Sequence, residues 1–546
     1  MVLKRHEVPV EETWSLSDMF PDQAAWEAEY AAVEAALPRL RALIGQITEM
    51  AATGLAALNA FDELVGRDGR VNSYAYYLYQ EDTTNPGSQA LAGRARMLSA
   101  QVAAATSELQ AALIRLPEGT LERWIAEEPA MADFRFLLQL VISFRPHALT
   151  PEAEAALAAV GQTLDFPYQA YSTITSADMT FGTVADSQGN QVPISLFFYM
   201  TQVETSPDTL LRRRGYEALS KGLEPYKNGL AGTLATEVRT NVDVAKMRGY
   251  KSAVEMLLTG DGLRYGRQAD AIPEPVFHQV LDIMLQELSP HMQRYARLRK
   301  RVLGLDKLLF SDVKAPLDPG FDPRVSFDEA GRMLCEAVKV LGPEYHATME
   351  RAFSERWVYR GDNVGRGMIA FGGGTWGVHG YSLYPWGGNL FDVFLLGHEL
   401  GHACHFDLAM RNQRAVNMGA ANFFVETPST LTEQILVNHV RATTSDPRLH
   451  RWLNMYLMMS YHHNCVTHIL EAELLRRLYT MAEAGRPLTT STISQTKLAI
   501  LQQFWGDTVE WDDGAALTWM RQPHYYMGLY PYTYSVGISA ATVLAQ

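Results

Sequence analysis

Residues 389–405 read NLFDVFLLGHELGHACH, and this stretch indicates both a fold and a chemistry. It contains the pattern HExxH, in which His398 and His402 stand four positions apart and Glu399 follows the first histidine. Residues four apart lie on one face of an α-helix. Two imidazoles placed in this way bind one divalent metal, typically zinc, and a glutamate beside them is positioned to act as a general base. The pattern is therefore typical of a metal-dependent hydrolase.

The sequence around the motif predicts a packed helix. Five residues alone also occur in ordinary amphipathic helices that carry two half-buried histidines. Asn389 has the side chain of a helix cap, and Asp392 three positions later is the acidic residue favoured in a first turn. A buried face follows from four apolar residues, which are Phe391, Phe394, Leu395 and Leu396.

A site with two histidines needs a third protein ligand and an open coordination position. Glu426, within NFFVETPS at residues 422–429, is the candidate. It follows His402 by 24 residues, which is enough for a loop and a return on a second helix, with Pro428 in that helix's first turn. A carboxylate among apolar residues is costly to bury without a partner, and a zinc ion is such a partner. The alternative is a solvated acid at a helix start.

Three further residues have side chains that suit a place in or beside such a site. His405 shares the helix face but lies further along the axis, so it is predicted to line the site rather than to bind the metal. Glu433, seven positions after Glu426, either accepts a hydrogen bond from a ligand histidine or forms a surface ion pair. Cys404 faces away from the histidines and is predicted to be a small buried residue.

At this point the chain resembles the oligoendopeptidase F family, which is related to thimet oligopeptidase among the zinc peptidases with a glutamate ligand. The resemblance runs along nearly the whole chain. The stretches that carry it are residues 13–20 with Trp26 and Tyr30, residues 248–252, residues 391–405, residues 426–429 with Glu433, and His524 with the tyrosines after it.

The resemblance implies a mainly α, two-lobed helical metallopeptidase with a deep substrate channel and a small β-sheet beside the zinc helix. It implies Zn²⁺ held by His398, His402 and Glu426, and an endopeptidase that cleaves internal bonds of oligopeptides with Glu399 as general base. Hydrophobic patterning changes near residues 175–205, which predicts an N-terminal helical domain at 1–190 and a catalytic domain at 191–546. Members of that family continue for several helices beyond the position of Gln546.

A cluster of aromatic residues near the C-terminus is the next candidate. Peptide hydrolysis passes through an oxyanion, and a donor aimed at that oxygen contributes about 3–4 kcal/mol. The resemblance implies that His524 and tyrosines after it supply such donors, with Tyr534 catalytic, Tyr530 substrate-binding and Tyr532 left open. The alternative is an aromatic patch packed in a core. Upstream, His462, His463 and His468 are predicted to be structural rather than a second metal site, because adjacent helical residues point in different directions.

The glycine-rich segment at residues 372–381 has two interpretations. It is either a turn that joins two ordinary strands, or a loop and edge strand beside a cleft, on which an extended peptide pairs its backbone. The family resemblance favours the second and makes His379, Gly380 and Tyr381 substrate-binding residues. No Gly-Lys-Ser/Thr follows the glycines, so the segment is not a phosphate loop.

Composition limits the class of protein. The chain has 546 residues with 47% hydrophobic residues, which predicts a globular protein with a large core. A net charge of −14 disfavours nucleic acid or an anionic membrane as partner. Three cysteines, no apolar run long enough to span a membrane and no apolar run after Lys4 and Arg5 predict a cytoplasmic protein without a secretory signal. The oligomeric state is not indicated.

Two other functions fit the same residues less well. A carboxydipeptidase would share the build but require the free C-terminal carboxylate of its substrate. A non-catalytic peptide-binding protein would keep the helical framework, but it has no use for a base beside a metal, so the intact motif argues against it.

Overall fold

The computed structural model describes residues 3–259, 272–367 and 370–546, and it is mostly helical. The helices of the N-terminal half are α1 (Gln23–Gly45), α2 (Ala51–Glu81), α3 (Pro86–Ile114), α4 (Thr120–Glu127), α5 (Arg135–Phe144), α6 (Pro151–Ala159), α7 (Gly161–Leu164), α8 (Phe166–Thr173), α9 (Leu196–Phe198), α10 (Thr209–Leu223), α11 (Lys227–Met247) and α12 (Ala253–Thr259). Those of the C-terminal half are α13 (Glu274–Ile283), α14 (Ser289–Val302), α15 (Phe327–Ala337), α16 (Pro343–Ser354), α17 (Leu390–Asn412), α18 (Asn422–Thr443), α19 (Pro447–Tyr461), α20 (His468–Glu483), α21 (Thr490–Trp505) and α22 (Pro531–Leu544). Short 3₁₀ and π segments join several of them, including the π segment His462–Thr467 between α19 and α20.

Two small sheets accompany the helices. β1 (Thr183–Ala185) and β2 (Gln191–Pro193) form an antiparallel hairpin. β3 (Val358–Tyr359), β4 (Phe371–Gly374) and β5 (Gly380–Leu383) form a second sheet in the order β3-β5-β4. β3 runs parallel to β5, and β4 runs antiparallel to it. The prediction of a mainly α protein with a small sheet beside the motif helix is confirmed.

The chain divides into two packing units. The first unit contains Met1–Pro146, Pro323–Thr444 and Ala540–Gln546. The second contains His147–Asp322 and Ser445–Ser539. These units group segments that are distant in sequence, whereas the predicted domains, 1–190 and 191–546, are linear. That linear division stays a prediction.

In the first unit one hydrophobic core extends from the N-terminal helices to the sheet. Helices α1, α2 and α3 pack on one another, and Trp26 and Val71 are fully buried between them. The same core includes Trp14, whose ring lies 5.3 Å from that of Tyr359 on β3 and 6.2 Å from that of Tyr381 on β5. Burial of these large rings holds the sheet against the helices. The sheet in turn packs on α17 through β4 and β5.

In the second unit several buried charges are paired. Arg212 and Asp312 form an ion pair at 3.1 Å with almost no exposure. Glu204 accepts from both Lys314 at 2.8 Å and Arg521 at 3.0 Å. Burial alone would raise the pKa of Glu204, but these two cations outweigh it and lower the pKa to about 2. Such pairs keep the charges of the unit compensated.

Two further predictions bear on the described residues. None of the helices that the structure describes combines the length and apolar character needed to cross a membrane. The three cysteines are unpaired, and Cys404 and Cys465 are buried.

Candidate metal centre

The helix that carries the motif begins where its cap predicts. The Asn389 side chain accepts a hydrogen bond from the backbone N–H of Asp392 at 3.0 Å, and Asp392 Oδ2 accepts from the N–H of Asn389 at 3.1 Å. Asp392 also accepts from the Tyr384 hydroxyl at 2.9 Å. α17 then continues without interruption through His398 and His402. The reciprocal cap therefore fixes the residue at which α17 begins, and with it the position of the motif along the helix.

Close packing of α17 on α18 brings the two motifs together. Gly401 lies against α18, where an added Cβ would be 2.7 Å from Ser429 Cα and 2.8 Å from the carbonyl oxygen of Pro428. Only a glycine permits this approach. Pro428 itself was expected in the first turn of α18, and this was wrong because the helix begins at Asn422. Packing outweighs the positional preference of proline here.

Three donor atoms converge at this contact. Glu426 Oε2 lies 3.5 Å from His398 Nε2 and 3.4 Å from His402 Nε2. All three atoms lie within 4.8 Å of one another. Glu426 and His402 are buried, and the side chain of His398 is 21% exposed. Two imidazole nitrogens and one carboxylate oxygen at such separations match the donor set of a catalytic zinc site.

A second carboxylate sets the orientation of the first histidine. Glu433 Oε1 lies 2.7 Å from His398 Nδ1. A proton on Nδ1 would donate to this carboxylate and leave the Nε2 lone pair directed toward Glu426 and His402. Of the two interpretations of Glu433, the geometry favours the hydrogen bond to a candidate ligand over a surface ion pair.

The charged groups of this cluster shift one another's pKa values. Burial opposes the charged form of His398, but the carboxylates of Glu426 and Glu433 outweigh it and raise its pKa well above the usual value. Burial would raise the pKa of Glu426, and the two histidines overcome it and lower the pKa well below the usual value. Burial also raises the pKa of Glu399. Two buried carboxylates near two imidazoles favour additional positive charge at this place.

The glycines of the second sheet allow it to lie directly on the motif helix. A Cβ at Gly372 would be 2.0 Å from the carbonyl oxygen of Glu399, and one at Gly374 would be 2.4 Å from Phe406 Cβ. On β5, a Cβ at Gly380 would be 2.5 Å from the carbonyl oxygen of Ala403. The lack of side chains at these glycines therefore allows α17 to pack directly on the sheet. The glycine-rich segment also forms the two strands that its simpler interpretation predicted, joined by a turn in which Gly377 has a φ of +74°.

The structure corrects the position of the edge strand. Residues 380–383 form the central strand β5, and the edge beside the motif is β4. His379 stacks on Trp357 at 4.7 Å and its Nε2 lies 3.2 Å from Asp18, while Tyr381 is fully buried and donates to the carbonyl of Ser15. Because β5 pairs with a strand on each side, its backbone is engaged within the sheet. Residues 379–381 thus pack within the sheet, and the outer strand β4 packs on the motif helix. The substrate-binding role of His379, Gly380 and Tyr381 stays a prediction.

Cys404 and His405 follow the motif on α17. His405 is not part of the three-donor cluster, and it packs against the ring of Phe424 at 5.8 Å. Burial, with His402 nearby, lowers the pKa of His405 to about 4. Cys404 is fully buried and unpaired, and burial raises the pKa of its thiol.

The C-terminal candidates lie together in the second packing unit. The ring of His524 is 6.2 Å from that of Tyr530 and 5.8 Å from that of Tyr534, and the two tyrosines contact edge to face at 5.2 Å. Tyr532 instead packs against Phe277 at 5.2 Å and is 2% exposed. The geometry thus separates Tyr530 and Tyr534, which surround His524, from Tyr532, which faces a core.

Sequence reasoning missed a carboxylate in this cluster. Glu471 Oε2 lies 2.9 Å from His468 Nδ1 and 3.3 Å from His524 Nδ1. His468 also stacks on Tyr534 at 4.0 Å. The signal that could have revealed it is the spacing of His468 and Glu471, three apart and so on one face of α20.

A helical framework, with a two-histidine, one-carboxylate cluster beside a glutamate, defines the class of metal-dependent hydrolases. The comparison with known families is more specific. The chain belongs to peptidase family M3, whose model matches residues 202–546, and the model for oligopeptidase F matches residues 113–181. It is therefore a peptidase.

Similar proteins extend over nearly the whole chain. Oligopeptidase PepF of Bacillus subtilis is 29% identical over 542 residues, which are 99% of this chain and 79% of the relative. Group B oligopeptidase PepB of Streptococcus agalactiae is 26% identical and covers 98% of this chain and 87% of its own.

Solved structures show the same fold. A putative peptidase from Chlamydophila abortus superposes with a TM-score of 0.85 at 25% identity, covering 99% of this chain and 89% of its own. Oligoendopeptidase F from Enterococcus faecium gives a TM-score of 0.71 at 25% identity, covering 96% and 87%.

Proposed function

We propose that this chain is a zinc-dependent endopeptidase that hydrolyses internal bonds of short peptides. The observation that carries the proposal is the convergence of His398, His402 and Glu426, with Glu399 adjacent on the same helix. The relatives named oligopeptidase and oligoendopeptidase support the substrate class.

The donor atoms fit zinc rather than calcium or magnesium. Calcium and magnesium prefer sites made of oxygen ligands, whereas imidazole nitrogens with one carboxylate suit zinc. Glu433 supplies the outer hydrogen bond that ligand histidines usually have, at 2.7 Å from His398. When bound, the ion would activate a water molecule and polarise the carbonyl of the scissile bond.

The chain's own residues would move the proton and hold the substrate. Glu399 takes a proton from the attacking water and delivers it to the leaving amine. His524 and Tyr534 donate to the oxyanion and Tyr530 contacts the substrate, roles that rest on the family resemblance. The outer edge of β4 pairs with the backbone of an extended peptide, as peptides often add to a sheet edge.

The unpaired cysteines agree with a reducing compartment, so we further propose that the protein acts in the cytoplasm on oligopeptides. We propose no nucleic-acid or membrane partner, in line with the net charge of −14.

The decisive experiment compares Glu399→Gln with Asp407→Asn. Both replace an acid on α17 by its amide, but Asp407 forms its ion pair with Arg411 at 2.6 Å and lies outside the donor cluster. Zinc content and turnover of a nonapeptide blocked at its C-terminus would be measured for each. Glu399→Gln should keep its zinc and lose at least about 100-fold in kcat, since general base catalysis contributes that much. Asp407→Asn should stay within about 3-fold of the parent.

The masses of the cleavage products distinguish an endopeptidase from the alternative functions. Cleavage inside the blocked peptide supports an endopeptidase. Removal of C-terminal dipeptides from free peptides, with the blocked peptide left intact, would establish a carboxydipeptidase instead. Zinc-independent binding without turnover would establish a peptide-binding protein. Digestion of long unfolded casein as fast as the nonapeptide would contradict the restriction to short substrates.

A further inference from the structure

We propose that Glu471 is a positioning residue for His524: its carboxylate pairs with Nδ1 of that ring and fixes the ring orientation that the proposed role of His524 as an oxyanion donor requires. The inference deepens the proposed function and rests on it. Glu471 is a buried side chain on α20 and does not belong to the proposed metal site.

The geometry joins two histidines to one oxygen atom. Glu471 Oε2 receives His468 Nδ1 at 2.9 Å and lies 3.3 Å from His524 Nδ1, an ion-pair distance rather than a well-formed hydrogen bond. On its far side, His468 Nε2 lies 3.3 Å from His463 Nε2. His463, His468, Glu471 and His524 therefore form a continuous polar chain within the second packing unit.

Because these side chains are buried, the loss of one partner would cost free energy of folding. The side chains of Glu471 and His468 are 2% and 1% exposed. A buried carboxylate without partners would be protonated or would destabilise the fold. Burial alone raises the pKa of Glu471, but His468 and His524 overcome it and lower the pKa well below its usual value. The carboxylate therefore remains charged at neutral pH.

Other charged and polar groups surround the carboxylate. Glu471 lines a cavity of about 70 Å³ together with Lys497, Arg521 and Glu204, in which Lys497 is 5% exposed. Burial lowers the pKa of Lys497 to about 8, against the opposing attraction of Glu471. Tyr171 and Tyr525 also lie within electrostatic reach of Glu471. The cavity is large enough for ordered water, which would solvate the oxygen that the histidines do not use.

The chemical consequence follows from the imidazole ring. A carboxylate beside Nδ1 favours a proton on that atom, while Nε2 lies on the opposite edge of the ring and donates only when it carries a proton as well. With both nitrogens protonated, Nδ1 pairs with the Glu471 carboxylate and Nε2 is the donor to the developing oxyanion. The carboxylate thus fixes the orientation of the donor before the reaction, which is how preorganised donors act.

The same three side chains could hold a metal ion, since their donor atoms lie within 4.8 Å of one another. Two nearby cations, Lys497 and Arg521, disfavour a further positive charge at this place. A second zinc site is therefore the outcome that the experiment must exclude.

The experiment is a double-mutant cycle between Glu471→Gln and His524→Gln. Glu473→Gln is the matched control, because Glu473 is 2% exposed on the same helix but pairs with Arg476 and Arg477 instead of histidines. We expect Glu471→Gln to lower kcat at least about 10-fold with KM within about 2-fold, as losing an orienting partner does. In the His524→Gln background the same change should have an effect below about 2-fold. Glu473→Gln should lower the melting temperature without lowering kcat.

Several results would overturn the proposal. Equal losses of kcat in Glu471→Gln and Glu473→Gln would reduce Glu471 to a structural role, and so would additive effects in the cycle. A parent chain with two zinc ions, one of them lost in Glu471→Gln, would assign a metal site instead. Full activity of Glu399→Gln would refute the proposed function, whereas full activity of Glu471→Gln alone would refute only this inference.

Discussion

Substitution of Gly401 by alanine should separate the two helices that carry the proposed metal centre. The added Cβ would lie 2.7 Å from Ser429 Cα and 2.8 Å from the Pro428 carbonyl oxygen. Ordinary contacts between such atoms are about 3.5–4.0 Å, so α17 and α18 must move apart by about 1 Å. These two neighbours are backbone atoms and have no alternative rotamers, and the side-chain atom Thr432 Oγ1 would lie 2.9 Å from the same Cβ.

Two opposing effects decide the sign of the stability change. Alanine in place of a helical glycine contributes about 1 kcal/mol in favour of folding. Overpacking at a tight contact costs about 1–3 kcal/mol. The net change should therefore be destabilising by up to about 2 kcal/mol. The metal site is the more sensitive reporter, because ligand distances tolerate only about 0.2 Å. Zinc affinity should fall at least about 10-fold.

Urea unfolding and competition with a chelator measure the two effects. Gly69→Ala is the matched control, since Gly69 lies within α2 and a Cβ there meets no atom within 4 Å. It should stabilise the protein slightly and leave zinc affinity unchanged. If Gly401→Ala is as stable as Gly69→Ala and binds zinc like the parent, the close contact of α17 with α18 does not hold the site together.

Two other predictions follow from the first packing unit. Glu426→Ala should be purified without zinc and His405→Ala with zinc, because only Glu426 belongs to the donor cluster; metal analysis with the opposite result would reverse the ligand assignment. Burial raises the pKa of Asp68 to about 6, while Ser99 donates to its carboxylate at 2.7 Å. Since the folded pKa is raised, Asp68 favours folding at low pH, and that contribution is lost as the pH rises from about 4 through 6. At pH 7 the free energy of unfolding of Asp68→Asn, measured by urea denaturation, should therefore exceed that of the parent by about 1–3 kcal/mol. The same difference in unfolding free energy between variant and parent at pH 4 and pH 7 would contradict the assignment.

The local parts of the centre were predictable from the sequence. The cap at Asn389, the helical spacing of His398 and His402, and a family resemblance over the full chain each follow from short-range patterns. These features depend on residues within a few turns of one another, and such signals do not need the tertiary structure.

The parts that depend on packing were not predictable in the same way. The glycine-rich segment at residues 372–381 was expected to offer an edge strand, whereas β5 is central and Gly372, Gly374 and Gly380 face α17. Strand order in a sheet is set by partners distant in the chain, here β3, and no local pattern encodes it. Pro428 was misplaced as well, since α18 begins at Asn422 and the proline lies inside the helix instead of in its first turn.

Glu471 shows a third limit. Its spacing from His468 was visible in the sequence, but a glutamate three positions from a histidine is common on helices. Its significance arises from the approach of His524, which is 53 residues further along the chain. Only the fold brings the two together within 3.3 Å.

Anomalous diffraction from zinc-loaded crystals tests the central claim most directly. We expect one ion per chain, held by His398 Nε2, His402 Nε2 and Glu426 Oε2 at about 2.0–2.2 Å. An ion bound instead by His468, Glu471 and His524, with the HExxH histidines empty, would contradict both the proposed metal centre and the positioning role of Glu471.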